Sequence, residues 1–349
     1  MFNDIYKNKK VLIFGNTGFK GSWLTLWLTT LNANVFGYSH KMYPHYELLN
    51  LNNKVKTYFY DVRNLEKVKE VIKEVKPDII FDLHAQPIVS LSYSDPVETY
   101  EINVIGTLNI LEAIRTCHQP YISLFITTDK VYLDQGHLSY RESDELGGYD
   151  LYACSKVCIE NIINSYKKSF LDNILIATCR SGNCIGGGDW GVDRLIPDMM
   201  RAFSKKEKFK LRNPHYVRPW SYILDTLSGY LMLGENLFQK GNEYEGAWNF
   251  GPDVSSCIST REIVNQSINY WSDLKSIQKN DYLGYDIQKP VFHETKILMI
   301  DSTKARVLLG WSPKFDIGDT IIETMYWYKQ FYTNNKIITL DQISEYNKR

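Results

Sequence analysis

Apolar residues in this chain gather in short runs separated by stretches with helical spacing. VLIFG, residues 11–15, is an apolar run of strand length closed by glycine, and NTGFKGSWLTLWLTTLN after it takes up a helical pattern. ANVFGYS predicts a second strand. TYFYDVRN predicts a third that ends at Asp61, and a charged helix follows over about residues 65–75. PDIIFDLHAQP predicts a fourth strand with His84, Ala85 and Gln86 at its carboxyl end, then one long helix over about 97–117 with Asn103 inside it. ISLFITTD predicts the next strand, a helix carrying Tyr152 runs on to about Ser169, and NILIATCRSGNCIG predicts another strand that breaks into polar residues. Strands and helices alternating in this way predict an α/β fold, a doubly wound parallel sheet.

After Gly182 the pattern changes. GGGDWGVDRLIPDMMRAF reads as a glycine-rich loop and a helix, and KFKLRNPHYVRPWSYI as short strand mixed with basic and aromatic residues. GAWNFGPD reads as a returning strand, a helix starts near Ser259, and LGWSPKFDIGDTIIETMYWY supplies the last helix. Residues 1–182, with a return segment near 220–252, are expected to form the sheet domain. Residues 183–349 are expected to form a smaller lobe interleaved with it.

Chemistry concentrates at two places. Gly15, Gly18 and Gly21 fall between the first strand and its helix. There the first glycine permits the turn, the second lets backbone approach a diphosphate, and the third lets the helix sit close to the sheet. The helix N-terminus then offers free N–H groups to the phosphates. The second strand ends in Tyr38, Ser39, His40 and Lys41 without an acid to grip a ribose, which leaves NAD and NADP both open. The other place is LFITTDKVYLDQGHLSYRESDELGGYDLYACSK, residues 124–156. It breaks from an apolar strand into Thr127, Thr128, Asp129 and Lys130 and ends with Tyr152 and Lys156 one helical turn apart. On one helix face the lysine ammonium would stabilise the phenolate and lower the tyrosine pKa, which suits proton removal coupled to hydride transfer. The same YxxxK spacing starts at Tyr6, Tyr285 and Tyr332, outside the dinucleotide context. Asp129 and Lys130 are surplus to simple oxidation and point to elimination, or else to a structural ion pair.

Composition narrows the partner. Forty basic and forty acidic residues cancel, which removes the electrostatic case for nucleic acid or an anionic membrane, and a small-molecule substrate is expected. The six cysteines show no CxxC and no histidine at zinc-ligand spacing, so reduced thiols and no metal site are expected. The polar N-terminus and the lack of any apolar run near about 20 residues fit a cytoplasmic protein.

GNTGFKGSWL, LHAQPIVSLSY, TTDKVY, YRESDELGGYDLYACSK, RSGNCIGGGDWGVDRLIPD, NPHYVRPW and WNFGP together resemble the CDP-glucose 4,6-dehydratase family. These are extended short-chain dehydrogenases/reductases of the nucleotide-sugar epimerase/dehydratase group. The likeness runs over nearly the whole chain. It implies a Rossmann-type domain with bound NAD, a C-terminal nucleotide-sugar lobe, CDP-glucose as substrate, and a role in deoxysugar supply for O-antigen or capsule polysaccharide. It also implies a homodimer or dimer of dimers, paired through the helices that start near Val97 and Asp150. By the resemblance, Tyr152 with Thr128 and Lys156 oxidises C4 of the sugar, Asp129 protonates the C6 hydroxyl, and Lys130 replaces a glutamate base. Gly15, Thr17, Gly18, Phe19, Gly21, Asp61, Gln86, Asn103 and Thr127, with Tyr152 and Lys156, match the dinucleotide site. Asn183, Arg194 and Arg218 match positions that hold sugar and diphosphate. The chain departs from the family at LDQGHLS (133–139), at Asn16 where histidine is frequent, and at Cys154. Another nucleotide-sugar 4,6-dehydratase or a 4-epimerase is the rival reading, and the pair Asp129–Lys130 is what separates the dehydratases from the epimerases.

Overall fold

The computed structural model describes residues 2–136, 139–271, 283–285 and 296–349. Six strands, β1 (Lys10–Phe14), β2 (Asn34–Ser39), β3 (Lys56–Phe59), β4 (Ile79–Asp82), β5 (Ile122–Ile126) and β6 (Leu175–Ser181), form the body of a parallel sheet. Three short strands follow outside it, β7 (Asn183–Ile185), β8 (Phe209–Leu211) and β9 (Val217–Tyr222), before β10 (Gly246–Phe250) returns to pair with β6. The seven-stranded order is β10-β6-β5-β4-β1-β2-β3, so the winding direction reverses between β1 and β4. Open parallel sheets place their ligands at such a switch point, off the carboxyl ends of the strands.

β4, β5 and β6 are buried along their whole length, which is why they read as continuous apolar runs rather than alternating ones. Successive side chains still point to opposite faces. Val11 and Ile13 of β1, with Phe81 and Leu124, enter one core, while Leu12 and Phe14, with Ile80 and Phe125, enter the other. The helices that precede β6 in the chain are α1 (Phe19–Thr30), α2 (Pro44–Leu48), α3 (Leu65–Val75), α4 (Val89–Ser94), α5 (Pro96–Tyr100), α6 (Gly106–Cys117) and α7 (Leu151–Phe170). Beyond them lie α8 (Leu195–Ser204), α9 (Ile223–Lys240), α10 (Thr260–Trp271), α11 (Ile317–Asn334) and α12 (Thr339–Lys348). Two small sheets complete the C-terminal part: β11 (Cys257–Ser259) beside β9 and β7, and β12 (Leu283–Tyr285) beside β8.

The doubly wound sheet expected from the sequence is present, with some differences. The helix expected over 97–117 is present as one unbroken helical run, with Asn103 inside a π-helical turn at its middle. Asp95 caps α5 by accepting the Glu98 N–H, Pro96 starts it, and a π-helical turn over Glu101–Ile105 joins it to α6. Within the return segment near 220–252, ahead of the returning strand, lies the 18-residue helix α9, buried on nearly all sides. The chain also ends one helix later than expected, in α12. Tyr285, expected in a turn, lies in β12, and the lysine of its YxxxK copy lies outside the described residues. All six cysteines are unpaired, and among the described residues no helix is long and apolar enough to cross a membrane.

Candidate active site

A cleft of about 1440 Å³ runs along the carboxyl ends of the strands, from the end of β2 across the glycine turn and the end of β5 to β7, α8 and β9. Its floor is set by the first turn. Gly15 has φ +77°, and a Cβ there would come within 2.9 Å of the Leu83 and His84 backbone. A Cβ on Gly21 would lie 2.1 Å from the Gly15 carbonyl oxygen. These contacts leave no room for side chains, so the turn lies flat and the start of α1, capped by Gly18, faces the cleft. Thr17 ties the turn to β2: its hydroxyl is 2.7 Å from Ser39 Oγ and donates to the Lys41 carbonyl at 2.8 Å. Phe19 completes the wall. A flat backbone cradle under a helix N-terminus fits a dinucleotide diphosphate.

At the adenosine end of such a ligand the cleft is lined by Ser39, His40, Lys41 and Asp61. Asp61 Oδ2 pairs with Arg63 at 2.7 Å, and that guanidinium holds the carboxyl below its usual range. Asn16, whose identity departs from the family, is fully buried under Gly37 and donates to Thr57 Oγ1, so it forms no part of the cleft wall. Two other residues expected at the cofactor also fall outside the lining. The Gln86 side chain donates to the Ile88 carbonyl and to Thr99 Oγ1. Asn103, fully buried in the π-helical turn, accepts from Gln86 N at 2.7 Å and donates to Gln86 O and to Ser155 Oγ. They brace the loop after β4 against α7, because a buried amide is satisfied by backbone before it can reach a ligand.

The polar end of β5 and the start of α7 meet at the middle of the cleft. Asp150 caps α7 by accepting the Ala153 N–H, which puts Tyr152 in the first turn and Lys156 one turn on, both facing the cleft. Thr127 donates to Glu160 Oε1 at 2.7 Å, and Glu160 is paired with Arg180, so the strand end is fixed to α7 and β6. Thr128 Oγ1 donates to Asp129 Oδ1 at 3.0 Å and is the side-chain hydrogen-bond neighbour of the Tyr152 phenol. The other Asp129 oxygen, Oδ2, is buried without a partner. A Cβ at Gly182 would stand 2.8 Å from it, so only glycine leaves that oxygen room. Burial pushes the Asp129 carboxyl above its usual pKa, against the opposing charge of Lys130. Lys130 Nζ lies 3.6 Å from Asp150 Oδ2, so the structural pair open to Lys130 is with the cap of α7.

One expectation is corrected. The i, i+4 spacing predicts an ammonium that lowers the tyrosine pKa. Instead burial pushes Tyr152 up to about 12. Lys156 Nζ donates to the Ile126 carbonyl at 3.3 Å, and burial brings it down to about 8. A shared helix face aligned the two residues, but the lysine found a backbone acceptor.

On the far wall, Asn183 lies on β7, where it pairs with Trp220, and lines the cleft. Arg194 precedes α8 and contacts both Asp189 oxygens at 3.1 and 3.0 Å. Arg218, buried on β9, donates to the Val217 and Lys296 carbonyls with its guanidinium over the Tyr216 ring. The loop over 133–139 stays out of the large cleft in its described part: Gln135 N donates to Tyr140 Oη at 3.1 Å, while residues 137–138 lie outside the described residues. Two more cleft residues had no site role assigned from the sequence, although His84 was placed at the carboxyl end of the fourth strand. His84 is held through Nδ1 by Asp82, with Nε2 3.0 Å from the Ile102 carbonyl oxygen. Lys20 lies on the first turn of α1, and its signal was a charge among the apolar Phe19, Trp23 and Leu24.

Comparison with known proteins places this geometry. The profile of the GDP-mannose 4,6-dehydratase family matches residues 12–325. The CDP-glucose 4,6-dehydratase of Salmonella typhimurium is 36% identical over 98% of this chain and 97% of its own. A UDP-glucose 4-epimerase of Mycoplasma pneumoniae is 22% identical over 93% of this chain and 97% of its own. Among solved structures, the Thermotoga maritima UDP-glucose 4-epimerase with UDP-glucose aligns at TM-score 0.79 and 19% identity, covering 92% of this chain and 99% of that one. The dTDP-glucose 4,6-dehydratase of Bacillus anthracis with NAD aligns at TM-score 0.77 and 21% identity, covering 92% and 97%. By the family match over residues 12–325 and the full-length similarity to the Salmonella enzyme, the chain belongs to the GDP-mannose 4,6-dehydratase family of extended short-chain dehydrogenases/reductases.

Proposed function

We propose that this protein is an NAD-dependent nucleotide-sugar 4,6-dehydratase that converts CDP-glucose to CDP-4-keto-6-deoxyglucose. The observation that carries the reading is Asp129, a buried carboxyl beside Tyr152 with one oxygen left unpartnered. A 4-epimerase has no use for such an acid. The choice of CDP-glucose rests on the full-length similarity to the Salmonella enzyme.

When bound along the cleft, NAD would accept the hydride leaving C4 of the sugar and return it at C6. The side chains supply the proton chemistry. Tyr152 takes the proton of the C4 hydroxyl as its phenolate, the form that the positive charge of bound NAD⁺ would favour against the effect of burial, with Thr128 as its hydrogen-bond partner. The resulting ketone acidifies the C5 hydrogen, which Lys130 removes as the base. Asp129, held toward its protonated form by burial, gives its proton to the departing C6 hydroxyl, and water leaves. Lys130 then returns its proton to C5. Each turnover leaves Tyr152 one proton richer and Asp129 one poorer, and the Thr128 hydroxyl touches both. Asn183, Arg194 and Arg218 would hold the sugar and its diphosphate. The exposed apolar residues Leu91, Val97, Ile105 and Tyr149, on and beside the helices around the cleft, support a homo-oligomer, which light scattering would reveal. The reaction fits the cytoplasm, where nucleotide sugars are made.

Incubating the protein with CDP-, UDP-, dTDP- and GDP-glucose, with and without added NAD, tests the reading. Formation of a 4-keto-6-deoxy product from CDP-glucose is expected. Release of a C4 epimer instead, or reaction with another nucleotide sugar in preference, would replace it.

A further inference from the structure

Lys20 is the second residue of α1 and directly precedes Gly21. Its ammonium is recessed in the cleft, where it donates to Ser181 Oγ at 2.9 Å and to Tyr230 Oη at 3.4 Å. Those two hydroxyls are 2.8 Å from each other, one at the end of β6 and the other buried in α9. Among the described residues, the amine therefore meets two neutral oxygens and no carboxylate. Its neighbours are provided for differently. Arg194 has Asp189 at 3.0 Å, while Lys156 rests on the Ile126 carbonyl with Asp82 and Glu160 nearby. The acid whose field reaches Lys20 is Asp129, and burial holds that carboxyl toward its neutral form. A recessed ammonium without a counterion is costly, so its place in a ligand cleft asks for an anion.

We propose that Lys20 is a diphosphate-binding residue of the dinucleotide site, its ammonium completing the anion site that the first turn of α1 begins. Position decides between the two diphosphates the cleft would hold. Lys20 is carried by the glycine turn itself, beside the N–H groups of α1, whereas the cations of the opposite wall, Arg194 and Arg218, come from the start of α8 and from β9. Lysine serves a phosphate as a point charge and needs no forked geometry, which suits an amine steered by two hydroxyls. Burial lowers the Lys20 pKa, and an arriving dianion opposes that shift. The inference rests on the dinucleotide part of the proposed function and is independent of the sugar.

Calorimetric titration of the full-length wild type, Lys20→Met and Lys20→Arg with NAD⁺, ADP-ribose and CDP tests it. The methionine variant is expected to bind both NAD⁺ and ADP-ribose roughly tenfold to a hundredfold more weakly, the range for losing a hydrogen bond to a charged group. The arginine variant should recover most of that loss, CDP binding should stay within about twofold of wild type, and melting curves should show all three proteins folded. Unchanged NAD⁺ affinity in the methionine variant overturns the assignment. So does a loss for NAD⁺ without one for ADP-ribose, which would place Lys20 at the nicotinamide, or a larger loss for CDP, which would place it at the substrate diphosphate. No sugar chemistry enters these titrations, so failure of the wild type to dehydrate CDP-glucose would sink the proposed function and leave the result on Lys20 standing.

Discussion

At the scale of single residues, the site is governed by what burial does to three titratable groups. The carboxyl of Asp129 is pushed up, the Tyr152 phenol is pushed up to about 12, and the Lys156 amine is brought down to about 8. Each shift favours the neutral form, as desolvation must. For Asp129 that form is the proton donor an elimination needs. Asp129→Asn should therefore still oxidise C4 but stall before water leaves, visible as NADH absorbance that rises and stays; product formation at the wild-type rate would remove Asp129 from the role of acid. Tyr152→Phe should reduce turnover by a factor on the order of a thousand or more, the upper part of what a positioned proton-transfer group contributes, with an unchanged melting curve. Near-normal turnover in that variant would defeat the assignment.

At the scale of elements, the π-helical turn between α5 and α6 matters most. It turns Asn103 inward, so that one amide clamps both backbone groups of Gln86 and reaches Ser155 on α7, the helix that carries Tyr152 and Lys156. Asn103→Leu keeps the volume but leaves several buried polar groups unpaired. It should cost about 1–3 kcal/mol for each group stranded, read by urea denaturation. NAD⁺ affinity should follow that loss only weakly. A large drop in NAD⁺ affinity at unchanged stability would instead show Asn103 touching the cofactor, as its sequence position suggested. Periodicity revealed the helical character of 97–117 but not this turn, because a single π-helical turn is defined by which backbone groups bond to each other, which side-chain pattern does not specify.

At the scale of the whole molecule, the last helix is tied to α9 through Asp225. Its Oδ1 accepts from Lys314 N and from Tyr346 Oη of α12, and its Oδ2 accepts from Phe315 N. Burial outweighs these bonds and raises the carboxyl to about 6. Between its unfolded value near ~4 and 6 the folded state binds the extra proton, so this group lowers stability as pH rises through that window, by roughly 3 kcal/mol at most. Asp225→Asn removes the ionisation but sets an amide N–H against the Phe315 N–H. The variant should be the less stable protein at pH 4, and its deficit should shrink by pH 7 in thermal melts at the two pH values. A deficit that grows with pH would reverse the assigned shift.

Local pattern determined a good deal of this protein. Strand runs buried on both faces, the three glycines of the first turn, and the polar break at Thr127–Lys130 are read within a few residues of chain, because each follows from the geometry of one element. Other features were decided by tertiary structure. Helix α9 is buried nearly all round by segments distant along the chain, and the amides of Gln86 and Asn103 are engaged where the loop after β4 folds against α7. Lys156 sits where spacing put it, yet its amine goes to the Ile126 carbonyl, and the field around Lys20 depends on a serine and a tyrosine far along the chain. Sequence spacing fixes which side chains share a face. Which partner each finds, and how far burial shifts its charge, depends on chain brought near from elsewhere.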